Sequence, residues 1–137
     1  MDVSASSPVA VVVGVGAGLG AALARRFAQG YRVALVARSA DFTRTLAAEI
    51  KSAGGIPLAV QGDATIPAQV AVAYERIGGE LGTPEVLIYN GVRRPFGVLV
   101  ETTPEVFEET WRLHAFGAFL WARQVVPRCS HATRERS

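Results

Sequence analysis

Four short apolar runs constrain this chain most: "VAVVVG" (9–14), "RVALVA" (32–37), "IPLAVQGD" (56–63) and "EVLIYNG" (85–91). They favour β-branched residues and lack an apolar/polar alternation, which suits strands buried on both faces of a parallel sheet. Between them lie "GLGAALARRFAQG" (18–30), "DFTRTLAAEIKSAGG" (41–55) and "PAQVAVAYERIGGELG" (67–82). These carry helix formers at helical spacing, with Gly30 and Gly54-Gly55 as terminators and Pro67 at a first turn. A fourth helix is predicted over about 104–126, with Thr102 or Thr103 as cap, Pro104 at its first turn, and Glu105 and Glu108 near its start. Strands alternating with helices at this spacing predict βαβ units, right-handed crossovers and helices on both faces. The expected fold class is α/β, a three-layer, doubly wound parallel sheet.

The 137 residues suit a single domain, and with half of them hydrophobic a packed core is within reach. Charged residues make up 19%, too few for a disordered chain. The net charge is +2, and the basic residues, nearly all Arg, are scattered. With no basic stripe and no interleaved aromatics, nucleic-acid binding is not expected. The lone Cys129 cannot form an internal disulfide, which points to a reducing, cytoplasmic setting. No run approaches a membrane span, "MDVSASSP" does not resemble a signal peptide, and no metal-ligand set is assigned.

The first strand meets the first helix at "GVGAGLG" (14–20). Glycines there let the backbone turn sharply and approach an anion, which the helix N-terminus then faces. In doubly wound folds this is where a pyrophosphate binds, so a Rossmann-like fold follows. Two registers fit. Gly16, Gly18 and Ala21 match G-x-G-x-x-G/A, whereas Gly14, Gly18 and Gly20 match G-x-x-x-G-x-G. The second begins directly after the strand and is the better mechanical fit, with Gly16 as extra slack. A flexible joint is the plain alternative.

An acidic residue at the end of the second strand would hold the ribose hydroxyls of NAD. That strand ends at Ala37, and Arg38-Ser39 follows. Asp41 lies past the strand and reads as a helix cap. Arg38 would attract a 2′-phosphate, so NADP(H) is favoured over NAD(H); a solvated surface arginine is the alternative.

With these residues placed, the sequence resembles the short-chain dehydrogenase/reductase family, over about residues 8–128. Gly14, Gly18 and Gly20, with Leu19 between the last two, match its cofactor loop, although Val13 stands where a threonine is usual. "GDAT" (62–65) resembles the stretch after strand three. There the resemblance implies that Asp63 contacts adenine, with Ala64 beside it. "LIYNGV" (87–92) resembles the N-N-A-G segment, with Asn90 at the second asparagine, Tyr89 replacing the first, Gly91 the alanine and Val92 the glycine. Asp63 as a simple turn residue and Asn90 as a strand stitch remain open. A different Rossmann-like nucleotide binder, such as a methyltransferase, is disfavoured by these two matches.

Family members transfer hydride between a nicotinamide and a carbonyl or alcohol, using a serine and a Y-x-x-x-K pair. A tyrosine titrates near 10, so it needs a nearby cation to act at neutral pH. No tyrosine here has a lysine four residues on, Lys51 being the only lysine. Tyr89 has Arg93 at that spacing, read as coincidence. The resemblance puts His114 at the helix position of an asparagine that holds a relay water. A histidine there could hydrogen-bond similarly or exchange a proton, or simply pack in the helix. No catalytic residue is assigned with it.

The four strands are expected in the order 3-2-1-4, leaving "VLIY" as an apolar edge. The last helix is apolar on more than one face (Phe107, Trp111, Phe119, Trp121), so it expects a second covering: a further strand or helix, or a second copy through residues 104–126. The domain is expected over 1–127 as an incomplete NAD(P)-binding unit. After it, "RCSHATRERS" (128–137) reads as a polar basic tail, attributed to truncation or a frameshift near Arg128. Two functions remain: an NADP(H)-dependent oxidoreductase without its catalytic half, or a non-catalytic NADP-binding module or subunit. The substrate is not readable, "RRPFGVL" (93–99) being too little to name it.

Overall fold

The computed structural model describes residues 2–93 and 97–134, with side chains as far as residue 127. Residues 94–96 of "RRPFGVL" and 135–137 of the tail lie outside the described residues. The strands are β1 (Val9–Val13), β2 (Arg32–Ala37), β3 (Pro57–Gln61) and β4 (Pro84–Tyr89). They form one parallel sheet in the order β3-β2-β1-β4, as expected. The helices are α1 (Leu19–Phe27), α2 (Ala40–Ser52), α3 (Pro67–Glu80), α4 (Pro104–Trp111) and α5 (Gly117–Arg134).

Strand side chains alternate between two cores. Val9, Val11 and Val13 of β1 meet Tyr74 and Ile77 of α3 and Leu120, Trp121 and Val125 of α5. Val12, with Val33 and Leu35 of β2, meets Ala21 and Ala24 of α1 and Leu46 and Ile50 of α2. This two-sided burial is why β1, and β2 after Arg32, are apolar throughout. Each buried Val, Leu or Ile removed from water contributes about 1.5–3 kcal/mol. A two-pronged Arg25–Glu49 pair, at 2.7 and 2.9 Å, ties α1 to α2 on the outside. These hydrogen bonds hold the Glu49 carboxyl below the usual range.

The expected single helix over 104–126 is interrupted and longer. Thr103 caps α4 through a bond from the Val106 amide. A π-helical turn, Arg112–Phe116, then separates α4 from α5. The helix also continues past residue 126, through Pro127, to Arg134. Arg and Ala are strong helix formers whatever the apolar pattern, so the loss of that pattern after Pro127 did not mark the helix end.

Candidate functional site

The C-terminal ends of the parallel strands face one side of the sheet, where doubly wound folds bind ligands. A cavity of about 550 Å³ opens there. Of the residues singled out in the sequence, Gly14, Gly16, Arg38, Ser39, Ala64, Asn90 and Gly91 line it. Gly18, Leu19 and Gly20 begin α1 at its edge, with Gly18 as N-cap.

Gly14 has a φ of +87°, and an added Cβ would run into the Asn90 carbonyl. A Cβ on Gly20 would stand 2.5 Å from the Gly14 oxygen and 2.9 Å from Val15 Cα. Cβ atoms on Gly16 and Gly18 would meet nothing within 4 Å. The fold therefore needs glycine at 14 and 20, in line with the register that begins at the strand end. Positions 16 and 18 are open around the missing Cβ, Gly16 at the cavity wall. Asn90 donates from its side-chain amide to the Gly14 oxygen at 3.1 Å, and its backbone N–H bonds to Val13 O at 2.8 Å. The stitching role is thus present. The glycine turn is a backbone cradle that no side chain among the described residues fills at Gly16 and Gly18, beside a helix N-terminus that supplies amides without intrahelical acceptors. That geometry fits a dinucleotide pyrophosphate.

Arg38 follows β2 and lines both this cavity and a second one of about 470 Å³. Among the described residues its guanidinium takes part in no ion pair. Ser39 occupies the N-cap position of α2 without a side-chain cap bond, so its hydroxyl is not used there. Asp63 lines the second cavity with Gln61 and Gln69. Its Oδ1 accepts from Thr65 N at 2.8 Å and Thr65 Oγ1 at 2.7 Å, so the carboxylate also folds its own turn.

At the other end, Tyr89 packs its ring against Gly91 and Gly117, and its hydroxyl donates to the Leu113 carbonyl in the π-helical turn. Burial first, and the Asp63 charge second, push its pKa up to about 12. That direction is opposite to the lowering that a neighbouring cation gives a proton-transferring tyrosine. Arg93 instead pairs with Glu109. His114 Nε2 accepts from the Arg93 N–H at 2.9 Å and lies 3.0 Å from Arg93 O. It thereby ties the segment after β4 to the helix, and it does not line the larger cavity.

Sequence reasoning missed Gln61, Gln69, Phe42 and Leu113 at these walls. Only the strand register brings Gln61 opposite Ala37, next to Arg38.

Among the described residues, no helix is long and apolar enough to cross a membrane. The fold is similar to that of a single-residue variant of actinorhodin polyketide ketoreductase solved with NADPH. The TM-score is 0.88 at 26% identity, over 98% of this chain and 51% of that one. It is also similar to L-sorbose reductase from Gluconobacter frateurii, solved with NADPH and L-sorbose. There the TM-score is 0.84 at 30% identity, over 94% of this chain and 50% of that one. In sequence it is 28% identical over 128 residues to a tetrahydroxynaphthalene reductase of Pestalotiopsis fici, covering 92% of this chain and 46% of that protein. The chain thus spans about half the length of these relatives. The short chain dehydrogenase family model matches residues 8–135. With the parallel sheet in the order 3-2-1-4 and the glycine turn at the head of α1, the chain belongs to the short-chain dehydrogenase family.

Proposed function

We propose that this chain is the NADP(H)-binding portion of a short-chain dehydrogenase/reductase acting between a nicotinamide and a carbonyl or alcohol. The observation that carries the cofactor preference is Arg38. It is a guanidinium without a carboxylate partner among the described residues, standing between two cavities beside the unused Ser39 hydroxyl. A 2′-phosphate is the anion that such a pair receives. Gly14, Gly16, Gly18, Leu19 and Gly20 would hold the pyrophosphate through backbone amides. Asp63 and Ala64 would border the adenine, and Asn90 and Gly91 the nicotinamide end. The bound nicotinamide would supply or accept hydride, and the residues named here bind and orient it. A cytoplasmic location goes with this proposal.

The test is a fluorescence titration of NADPH and NADH. Arg38→Ala is expected to weaken NADPH by about tenfold to a hundredfold, the loss of about 1.5–3 kcal/mol typical of a charged hydrogen bond. NADH should change little. Equal affinity of the unmodified chain for both dinucleotides would refute the preference.

A further inference from the structure

We infer that Gln61 is a positioning residue that sets the cofactor preference by holding the Arg38 peptide. The inference rests on the proposed role of Arg38 and adds a determinant on a different strand. β2 and β3 pair in register as far as Ala37 and Gln61. One rung further, the Gly62 N–H bonds to Ala37 O at 3.0 Å. The Arg38 carbonyl is not a rung of this pairing, since only alternate residues of β2, Val33 and Ala37 among them, bond to β3. The Gln61 side chain takes it instead, its Nε2 donating to Arg38 O at 3.0 Å. The amide of a side chain thus adds a link from β3 to the residue that follows β2, just past the end of the ladder.

This matters because Arg38 is the last residue before the α2 cap. Ser39 is extended, at φ −98° and ψ 129°, and makes no side-chain cap bond of its own. Among the described residues, the Arg38 guanidinium has no ion pair to fix it from the other end. The peptide held by Gln61 is therefore an anchor for Arg38 where it lines the two cavities. A freed peptide would let the guanidinium sample more directions, and ordering it on a phosphate would then cost more. NADH, which lacks the 2′-phosphate, does not use that order.

Met matches Gln in length but offers no donor, so Gln61→Met is the clean substitution, at an exposed position. NADPH and NADH are titrated against four full-length chains: the unmodified protein, Gln61→Met, Arg38→Ala and the double variant. NADPH affinity is expected to fall about fivefold in Gln61→Met, the worth of one net hydrogen bond, with NADH affinity unchanged. In the Arg38→Ala background, Gln61→Met should have no further effect, because the two residues act as one unit. Equal weakening of both dinucleotides, or an undiminished effect in the Arg38→Ala background, overturns the inference. If Arg38→Ala abolishes the preference and Gln61→Met leaves it intact, the Arg38 proposal stands and this inference alone falls. If Arg38→Ala leaves the preference unchanged, or the chain binds neither dinucleotide, both fall.

Discussion

The Asn90 side-chain amide donates to the Gly14 carbonyl oxygen at 3.1 Å, closing the end of β4 onto the glycine turn. Val13 and Tyr89 are paired in register just before them, so the bond extends the sheet by a side-chain rung. Asn90→Ala removes the donor and leaves the Gly14 oxygen without it. The expected loss is about 0.5–1.5 kcal/mol in urea unfolding, together with weaker NADPH binding. Asn90→Asp should cost more in binding, because a carboxylate accepts only and repels the pyrophosphate. Unchanged NADPH affinity in both variants would detach Asn90 from the site.

The glycines of the turn are not equivalent. Gly14→Ala demands both a positive φ and room that the Asn90 carbonyl already fills. Gly20→Ala meets backbone at 2.5 and 2.9 Å. Each is expected to destabilise by more than about 1 kcal/mol, since backbone must move. Gly16→Ala has open space and should unfold at nearly the normal midpoint while binding NADPH less well. Circular dichroism melts separate these outcomes. Equal melting of all three would contradict the register that begins at Gly14.

Tyr89 gives a pH prediction. Its pKa is raised to about 12 from 10, chiefly by burial. Between those values the unfolded chain has released the phenolic proton and the folded chain keeps it. The contribution to stability is therefore complete below pH 10 and disappears as pH rises toward about 12. Ultraviolet titration should show a late tyrosine ionisation that Tyr89→Phe removes, and the variant should lose less stability over that interval. A late phase that survives in Tyr89→Phe would assign it elsewhere.

The sheet was legible in the sequence because β1 and β2 are buried on both faces, which leaves no choice but continuous apolar runs. The glycine turn was legible because strand, glycines and helix are contiguous. What was hidden depends on distant partners. Tyr89 reads as a substitution in a motif, and only the fold brings it to Leu113, 24 residues on. The π-helical turn beneath that bond carries no proline or glycine to announce it; Gly117 follows it, small enough to accept the Tyr89 ring. Gln61 looked like the polar end of a strand until the register set it beside Arg38. Asp63 was expected at adenine, and its bonds to Thr65 show that a turn role and a wall role coexist.

Trp121 tests the α5 side of the core. Its side chain is 1% exposed and packs with Leu120 and Val125 of the same helix and with the α3 residues Tyr74 and Ile77. Trp121→Ala should cost about 3–5 kcal/mol, because the surrounding strands and helices cannot collapse into so large a void. Trp121→Phe should cost less, since it keeps most of the apolar contact and removes an indole N–H that finds no partner among the described residues. Equal losses in the two variants would mean that the core here repacks freely.

The opposite side of the same helical segment gives the last prediction. Phe107, Trp111 and Phe119 are 66%, 49% and 56% exposed. Trp111 stacks on Phe116 at 5.8 Å and Phe116 on Phe119 at 6.5 Å, with Arg112 and Arg123 over the Phe116 and Phe119 rings. Large apolar side chains in one exposed row mark an interaction surface. We predict that the chain self-associates through this row. Light scattering should give a mass above that of one chain, rising with concentration. The association should persist in about 0.5 M salt, because burial of apolar surface is not screened as exposed ion pairs are. Phe119→Glu should shift the distribution toward the monomer without changing the circular dichroism spectrum. A monomer at all concentrations, or association that Phe119→Glu leaves untouched, would exclude this row as the contact.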